Sequence, residues 1–135
     1  MWLSFCAGAI GYPVLEMLWR GRTHPSMALA GGLSMALLHG LERRRQSLWR
    51  TALAGGLAIT GVEYVLGRLF NREYDIWDYR GLPLNLRGQV CAPYALAWCG
   101  LSALTIMGMR LRKCLHGRPK AAAWPLPRRA QRKGT

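Results

Sequence analysis

Polar and apolar residues are sorted into blocks along this chain. Apolar runs cover Trp2 to Trp19, Pro25 to Leu41, Leu48 to Phe70 and Val90 to Met109, each close to the ~17–25 residues that a helix needs to cross the hydrocarbon of a bilayer. The charged residues inside them are Glu16, Arg50, Glu63 and Arg68, whereas a water-soluble domain interleaves charge with apolar residues at helical or strand period. The pattern predicts an all-α, polytopic membrane protein: a four-helix transmembrane bundle over residues 1–110, then a basic tail over 111–135. The tail lacks apolar periodicity and is expected to be disordered or to lie on anionic lipid. No basic residue precedes the first run and Leu3-Ser4-Phe5-Cys6 is a poor lipoprotein cleavage pattern, so that run is expected to be retained as a helix.

Composition narrows the class further. With 51% hydrophobic and 19% charged residues separated in this way, the chain is neither an ordinary soluble domain nor a disordered basic protein. A formal charge of +13 raises nucleic acid as a partner, but nine of the 19 basic residues lie in the last 26 positions. No nucleic-acid-binding motif accompanies them, so the lipid bilayer is the expected partner and nucleic acid is not. The four cysteines, Cys6, Cys91, Cys99 and Cys114, contain no C-x-x-C pair. Neither a disulfide framework nor a metal site is indicated, and no cofactor is implied.

Charge also sets the orientation. With four spans, the Glu42–Ser47 connection and the tail share a side and, with Arg50, hold 13 basic residues, against six on the other side. Positive charge is retained in the cytoplasm, so both termini are expected there, in a cell membrane.

Within the spans, Gly32, Ala36 and Gly40, and Ala52, Gly56 and Thr60, recur every four residues, the spacing of close helix seams in lipid. Pro25 and Pro93 suit first helical turns, whereas Pro13 is expected to kink the first helix. Glu42 and His39 read as structural.

The remaining chemistry gathers toward the side away from the termini. Gly8, Tyr12, Glu16 and Arg20 share one helix face, with Glu16 placed to pair with Arg20. Glu63 sits seven residues before Phe70, roughly 10 Å inside that end of its span. A carboxylate at such depth faces the bundle and needs a partner, Arg20, Arg87 or Tyr12 here, or else a proton. The turn Arg20 to Met27 offers two guanidiniums and a helix N-terminus, a candidate anion site; His24 within it suits a capping role better than a metal-ligand one. The connection Asn71 to Gln89 holds Trp77, Asp78, Tyr79 and Asn85. It is expected to fold back as a lid, with Asp78 pairing Arg20 or Arg22, although Trp77 and Tyr79 also suit an interfacial aromatic belt. The candidate cavity residues are therefore Tyr12, Glu16, Arg20, His24, Glu63, Asn71, Trp77, Asp78, Tyr79, Asn85 and Gln89.

Five ordered motifs carry a resemblance. They are Gly11-Tyr12-x-x-x-Glu16-x-x-Trp19-Arg20-Gly21-x-Thr23-His24-x-Ser26-Met27; Gly31-Gly32; Ile59-Thr60-x-x-Glu63 with Gly67 and Asn71; Ile76-Trp77-Asp78-Tyr79; and Pro83-x-Asn85-x-x-Gly88-Gln89-Val90-Cys91. From Gly8 to Trp98 the chain resembles the ABC-transporter type IV, or CmpB-like permease, family. Where members of that family carry Trp after His24, this chain has Pro25. The resemblance implies a membrane permease component. The chain has no G-x-x-x-x-G-K-[ST] loop, its lysines being Lys113, Lys120 and Lys133, so ATP hydrolysis would belong to a separate ATPase subunit. Four short helices enclose little volume, and a path would form with such a partner or in a homo-oligomer. Transport is the leading expectation. The alternatives are a membrane-embedded enzyme acting on a lipid headgroup or phosphate, with Glu16 or Glu63 as general base, and a structural or assembly subunit.

Overall fold

The computed structural model describes residues 1–116. Four helices account for most of them: α1 (Trp2–Arg20), α2 (Pro25–Glu42), α3 (Leu48–Phe70) and α4 (Ala92–His116), with a short antiparallel hairpin of β1 (Asn85–Leu86) and β2 (Val90–Cys91) ahead of α4. The first three coincide with the apolar runs almost to the residue. The fourth starts two residues later than its run, because Val90 and Cys91 pair with Leu86 and Asn85 in the hairpin. It also continues through His116, so the first positions expected in the basic tail are helical, and the rest of that tail lies outside the described residues.

Local chemistry sets the helix ends. Gly21 closes α1 in the left-handed region (φ 68°), its N–H donating to the Met17 carbonyl, a conformation that suits glycine because it has no Cβ. Pro25 opens α2, capped by the His24 ring, which accepts from the Ser26 N–H. Ser47 caps α3 by accepting from the Arg50 N–H. The α1 helix continues through Pro13.

Helices α1 and α2 pack along one another, as do α3 and α4, and α2 against α3 joins the two hairpins. The first crossing is at Gly8 and Gly31, where a methyl group on either would run into the other's carbonyl; Gly32 faces the Phe5 ring. On the second hairpin Gly56 lies against Cys99, and Gly55 against Ser102. The expected seam on α2 is thus displaced by one residue: Gly31 makes the backbone approach, and Gly40 has open space beside it. Leu38, Ile59 and Ile106 form a small core between α2, α3 and α4.

The burial pattern is inverted relative to a water-soluble bundle. The fully buried side chains of greatest volume include Gln89, Asn71, Thr51 and Ser102, whereas Leu3, Leu18, Leu96 and Leu104 are 67–85% exposed. By length and composition, α3 and the Ala92–Leu115 part of α4 are long and apolar enough to cross a membrane.

Candidate functional site

A cavity of about 290 Å³ lies between the two helical hairpins, lined from α1 by Tyr12, Glu16, Trp19 and Arg20, from α2 by Met27, Gly31 and Ser34, and from α3 by Ile59 and Glu63. Trp77 and Tyr79 of the long connection and Tyr94 and Trp98 of α4 complete the wall. The helical spacing of Tyr12, Glu16 and Arg20 brings all three to the same face, and that face is turned toward the cavity.

The two carboxylates of the cavity are held differently. Glu16 is buried and forms an ion pair with Arg20 one turn later, while its second oxygen accepts from the Thr23 hydroxyl at 2.8 Å. Arg20 also donates to the Ile76 carbonyl at 3.1 Å, which ties the end of α1 to the long connection. Glu63 accepts from the Tyr79 hydroxyl at 2.9 Å and from the Trp98 indole N–H at 2.8 Å. Its partners are therefore neutral donors, in place of the expected Arg20, Arg87 or Tyr12, since Arg20 is engaged by Glu16 and Ile76. Burial, and then the Glu63 carboxylate, push the Tyr79 phenol above its ordinary pKa. The Tyr79 ring stacks on Tyr94 at 4.6 Å, and Trp98 meets Tyr12 edge-on at 6.1 Å.

The connection between α3 and α4 is fastened by amides. Asn71 Nδ2 donates to the Trp77 carbonyl at 2.6 Å and to Gln89 Oε1 at 3.2 Å, while Asn71 Oδ1 accepts from the Ile76 N–H at 2.9 Å. Gln89 Nε2 donates to the Asn71 carbonyl, and the Trp77 indole to the Gln89 carbonyl, both at 2.9 Å. Asn71 and Gln89 are buried in this knot, apart from the cavity lining. Gly67 on α3 leaves room for the Gln89 amide and the Trp77 ring, and Trp77 reaches the cavity from this fixed position.

Asp78 and Asn85 lie elsewhere. The expected ion pair of Asp78 with Arg20 or Arg22 is replaced by one with Arg80 at 2.7 Å. Arg80 is two residues away, and the turn that delivers its backbone N–H to the same carboxylate also aims its guanidinium. These Arg80 contacts hold the Asp78 carboxyl below the usual carboxylate range. Asn85 is exposed and shapes the hairpin, donating to the Arg80 and Leu82 carbonyls and accepting from the Gly88 N–H. His24 caps α2 and, with Arg20, Arg22 and Asp75, borders a second recess beside the cavity.

Sequence reading did not single out Tyr94 and Trp98. Their separation by four residues on the fourth span, the spacing that puts two side chains on one helix face, is the signal that could have found them. Thr23 belongs to the Gly11 to Met27 motif, but its bond to Glu16 depends on how the turn folds back.

No curated protein and no solved structure matches the chain. A family model does, over residues 6–120, extending past both ends of the Gly8 to Trp98 resemblance. The matched segment holds α1 from Cys6 onward, α2 to α4, both cavity carboxylates and the amide knot, and with it this chain belongs to the family described as Putative ABC-transporter type IV.

Proposed function

We propose that the chain is a multi-pass permease-like subunit of a transporter, with all four helices crossing the bilayer and the cavity between the hairpins serving as its solute site. The observation that carries this reading is the inverted burial, since large apolar side chains point outward from every helix: Leu3 and Leu18 on α1, Leu29 and Leu37 on α2, Leu53 and Leu57 on α3, and Leu96 and Leu104 on α4. Exposed apolar surface of that extent calls for lipid or a partner. Within the bundle, polar groups pair with one another, as intramembrane charges do when they line a site. The basic residues of the Glu42–Ser47 connection, Arg50 and those from Arg110 onward support cytoplasmic termini, an orientation in which the cavity faces the outer leaflet. Residues 1–110 are the membrane domain, and energy for transport comes from a separate ATPase subunit, in keeping with the family description.

Two measurements test the reading. A membrane-impermeant thiol reagent should label cysteines placed at Thr23 or Gly81 in intact cells and miss one at Gln46; labelling at Gln46 reverses the orientation. Purification in mild detergent should bring down an ATPase subunit in fixed ratio. Recovery of a homo-oligomer alone, with no ATPase, would remove the transporter assignment.

A further inference from the structure

The cavity wall combines two kinds of surface that attract positive charge. Tyr12, Trp19, Trp77, Tyr79, Tyr94 and Trp98 bring six aromatic rings to it, and the face of an aromatic ring is electrically negative. Several of these rings adjoin one another: Tyr79 stacks on Tyr94 at 4.6 Å, Tyr94 lies 6.3 Å from Trp98, and Trp98 lies 6.1 Å from Tyr12. The Glu63 carboxylate is set into this array. Its two hydrogen-bond donors, Tyr79 and Trp98, are neutral, and among the described residues no basic side chain forms an ion pair with it. The other two charges of the lining, Glu16 and Arg20, neutralise each other.

This lining discriminates among ligands. An anion would meet ring faces and an uncompensated carboxylate, with Arg20 already committed to Glu16 and the Ile76 carbonyl. A small hard metal cation requires several oxygen ligands, and the wall offers one carboxylate without a cationic partner. An ammonium carrying alkyl groups suits both surfaces: its substituents bury against the rings, its charge lies over their faces, and Glu63 supplies the counter-charge. The cavity volume of about 290 Å³ is near the lower end of the ~300–1,000 Å³ of small-molecule sites, a scale that favours a headgroup-sized cation over a bulky solute.

We propose that this cavity binds an alkylated ammonium group, with Glu63 as its counter-ion and the rings of Tyr12, Tyr79, Tyr94 and Trp98 as its walls. The proposal rests on the reading of the cavity as the solute site. The same ammonium chemistry is carried by a free solute and by the headgroup of a choline lipid, and the experiment separates the two.

A single cysteine is placed at Ser34, which lines the cavity outside the aromatic wall, in the full chain with its four native cysteines replaced by alanine. The protein is reconstituted in nanodiscs of phosphatidylglycerol. Labelling rates of a trimethylammonium methanethiosulfonate and of its sulfonate counterpart are each taken relative to the rate at Gly81→Cys, on the exposed part of the connection, which removes bulk and surface-charge effects. The cationic reagent should react at least about tenfold faster, the order of preference that one desolvated cation–π and carboxylate site gives. Glu63→Gln should bring the ratio toward one, and Glu63→Asp should retain it. In the chain with Glu63 intact, tetramethylammonium chloride should slow labelling where equal sodium chloride does not, a readout that holds whether or not Glu63→Gln folds. Exchange of the lipid for phosphatidylcholine should slow labelling if the ammonium is that of a lipid and leave it unchanged if the ammonium belongs to a soluble molecule. Equal rates for the two reagents, with no protection by tetramethylammonium, overturn the cation assignment and leave the cavity standing. Failure of both reagents at Ser34→Cys, with the thiol reactive after unfolding, overturns the reading of the cavity itself.

Discussion

Gly8 and Gly31 meet backbone to backbone where α1 crosses α2, so closely that a methyl group on either would occupy the other's carbonyl. Under the proposed four-span reading, the attraction between these helices comes from such close packing. Gly8→Ala should therefore cost about 1–3 kcal/mol, the range of overpacked cores. Gly11→Ala, one turn along and facing open space, should be neutral or slightly stabilising, since alanine favours the helix by about 1 kcal/mol. Thermal unfolding in detergent reads both, and equal midpoints would show that the crossing is not closely packed.

Asn71 satisfies backbone and side-chain groups at both ends of the long connection. Asn71→Ala leaves the Ile76 N–H, the Trp77 carbonyl and the Gln89 amide short of partners in a buried place. The expected loss is about 2–4 kcal/mol, with a rise in hydrogen exchange across residues 72–89 that leaves α1 and α2 protected. Uniform exchange through all four helices would mean that the knot has no local role.

Tyr79 and Trp98 hold Glu63 from two sides. Tyr79→Phe and Glu63→Gln should couple in a double-mutant cycle by about 0.5–3 kcal/mol, and Tyr79→Phe should also weaken ligand binding at the cavity. The raised Tyr79 pKa fixes a pH dependence. The folded chain keeps a proton that the unfolded chain releases near pH 10, so the Tyr79 contribution is complete below about pH 10 and declines as pH rises toward the folded value. In Tyr79→Phe that part of the alkaline decline should vanish; an unchanged alkaline limb would count against the buried hydrogen bond.

Ser102 is fully buried, its hydroxyl lies beside Gly55, and among the described residues its oxygen has no hydrogen-bond partner. An unpartnered buried hydroxyl costs about 1–3 kcal/mol, so Ser102→Ala should be as stable as the parent or more stable, by up to about 1 kcal/mol. A clear loss in the unfolding midpoint would reveal a partner for that oxygen.

The helices were legible because α1, α2 and α3 coincide with apolar runs bounded by Gly21, by His24 with Pro25, and by Ser47, and because α4 contains most of the fourth run. The Glu16–Arg20 pair was legible for the same reason, being a matter of spacing on one helix. Contacts across elements were not. Trp98 reaches Glu63 over 35 positions of sequence, and no local pattern marks a tryptophan in an apolar run as a hydrogen-bond donor rather than a lipid-facing ring. Asp78 misled in the opposite way, since it has several arginines within plausible reach and the local turn selects Arg80. Asn71, Asn85 and Gln89 have the side chains of a binding site, and equally those of a loop that must satisfy its own backbone; folding assigns them the second task.

The bond from Arg20 to the Ile76 carbonyl has a mechanical consequence. Among the described residues it is the hydrogen bond that joins α1 to the long connection, and it is exposed, whereas the same connection is riveted to α3 by several buried ones. Two helix pairs, α1 with α2 and α3 with α4 plus the connection, thus meet along α2 and α3, and Arg20 is the hydrogen-bonded tie between them at this edge. Separating the two at that edge strains this solvent-reachable bond and the Tyr12–Trp98 ring contact, while the Glu42 ion pairs with Arg110 and Lys113 hold α2 to α4 at the opposite end; the wall that carries Trp77, Tyr79 and Glu63 travels as one piece.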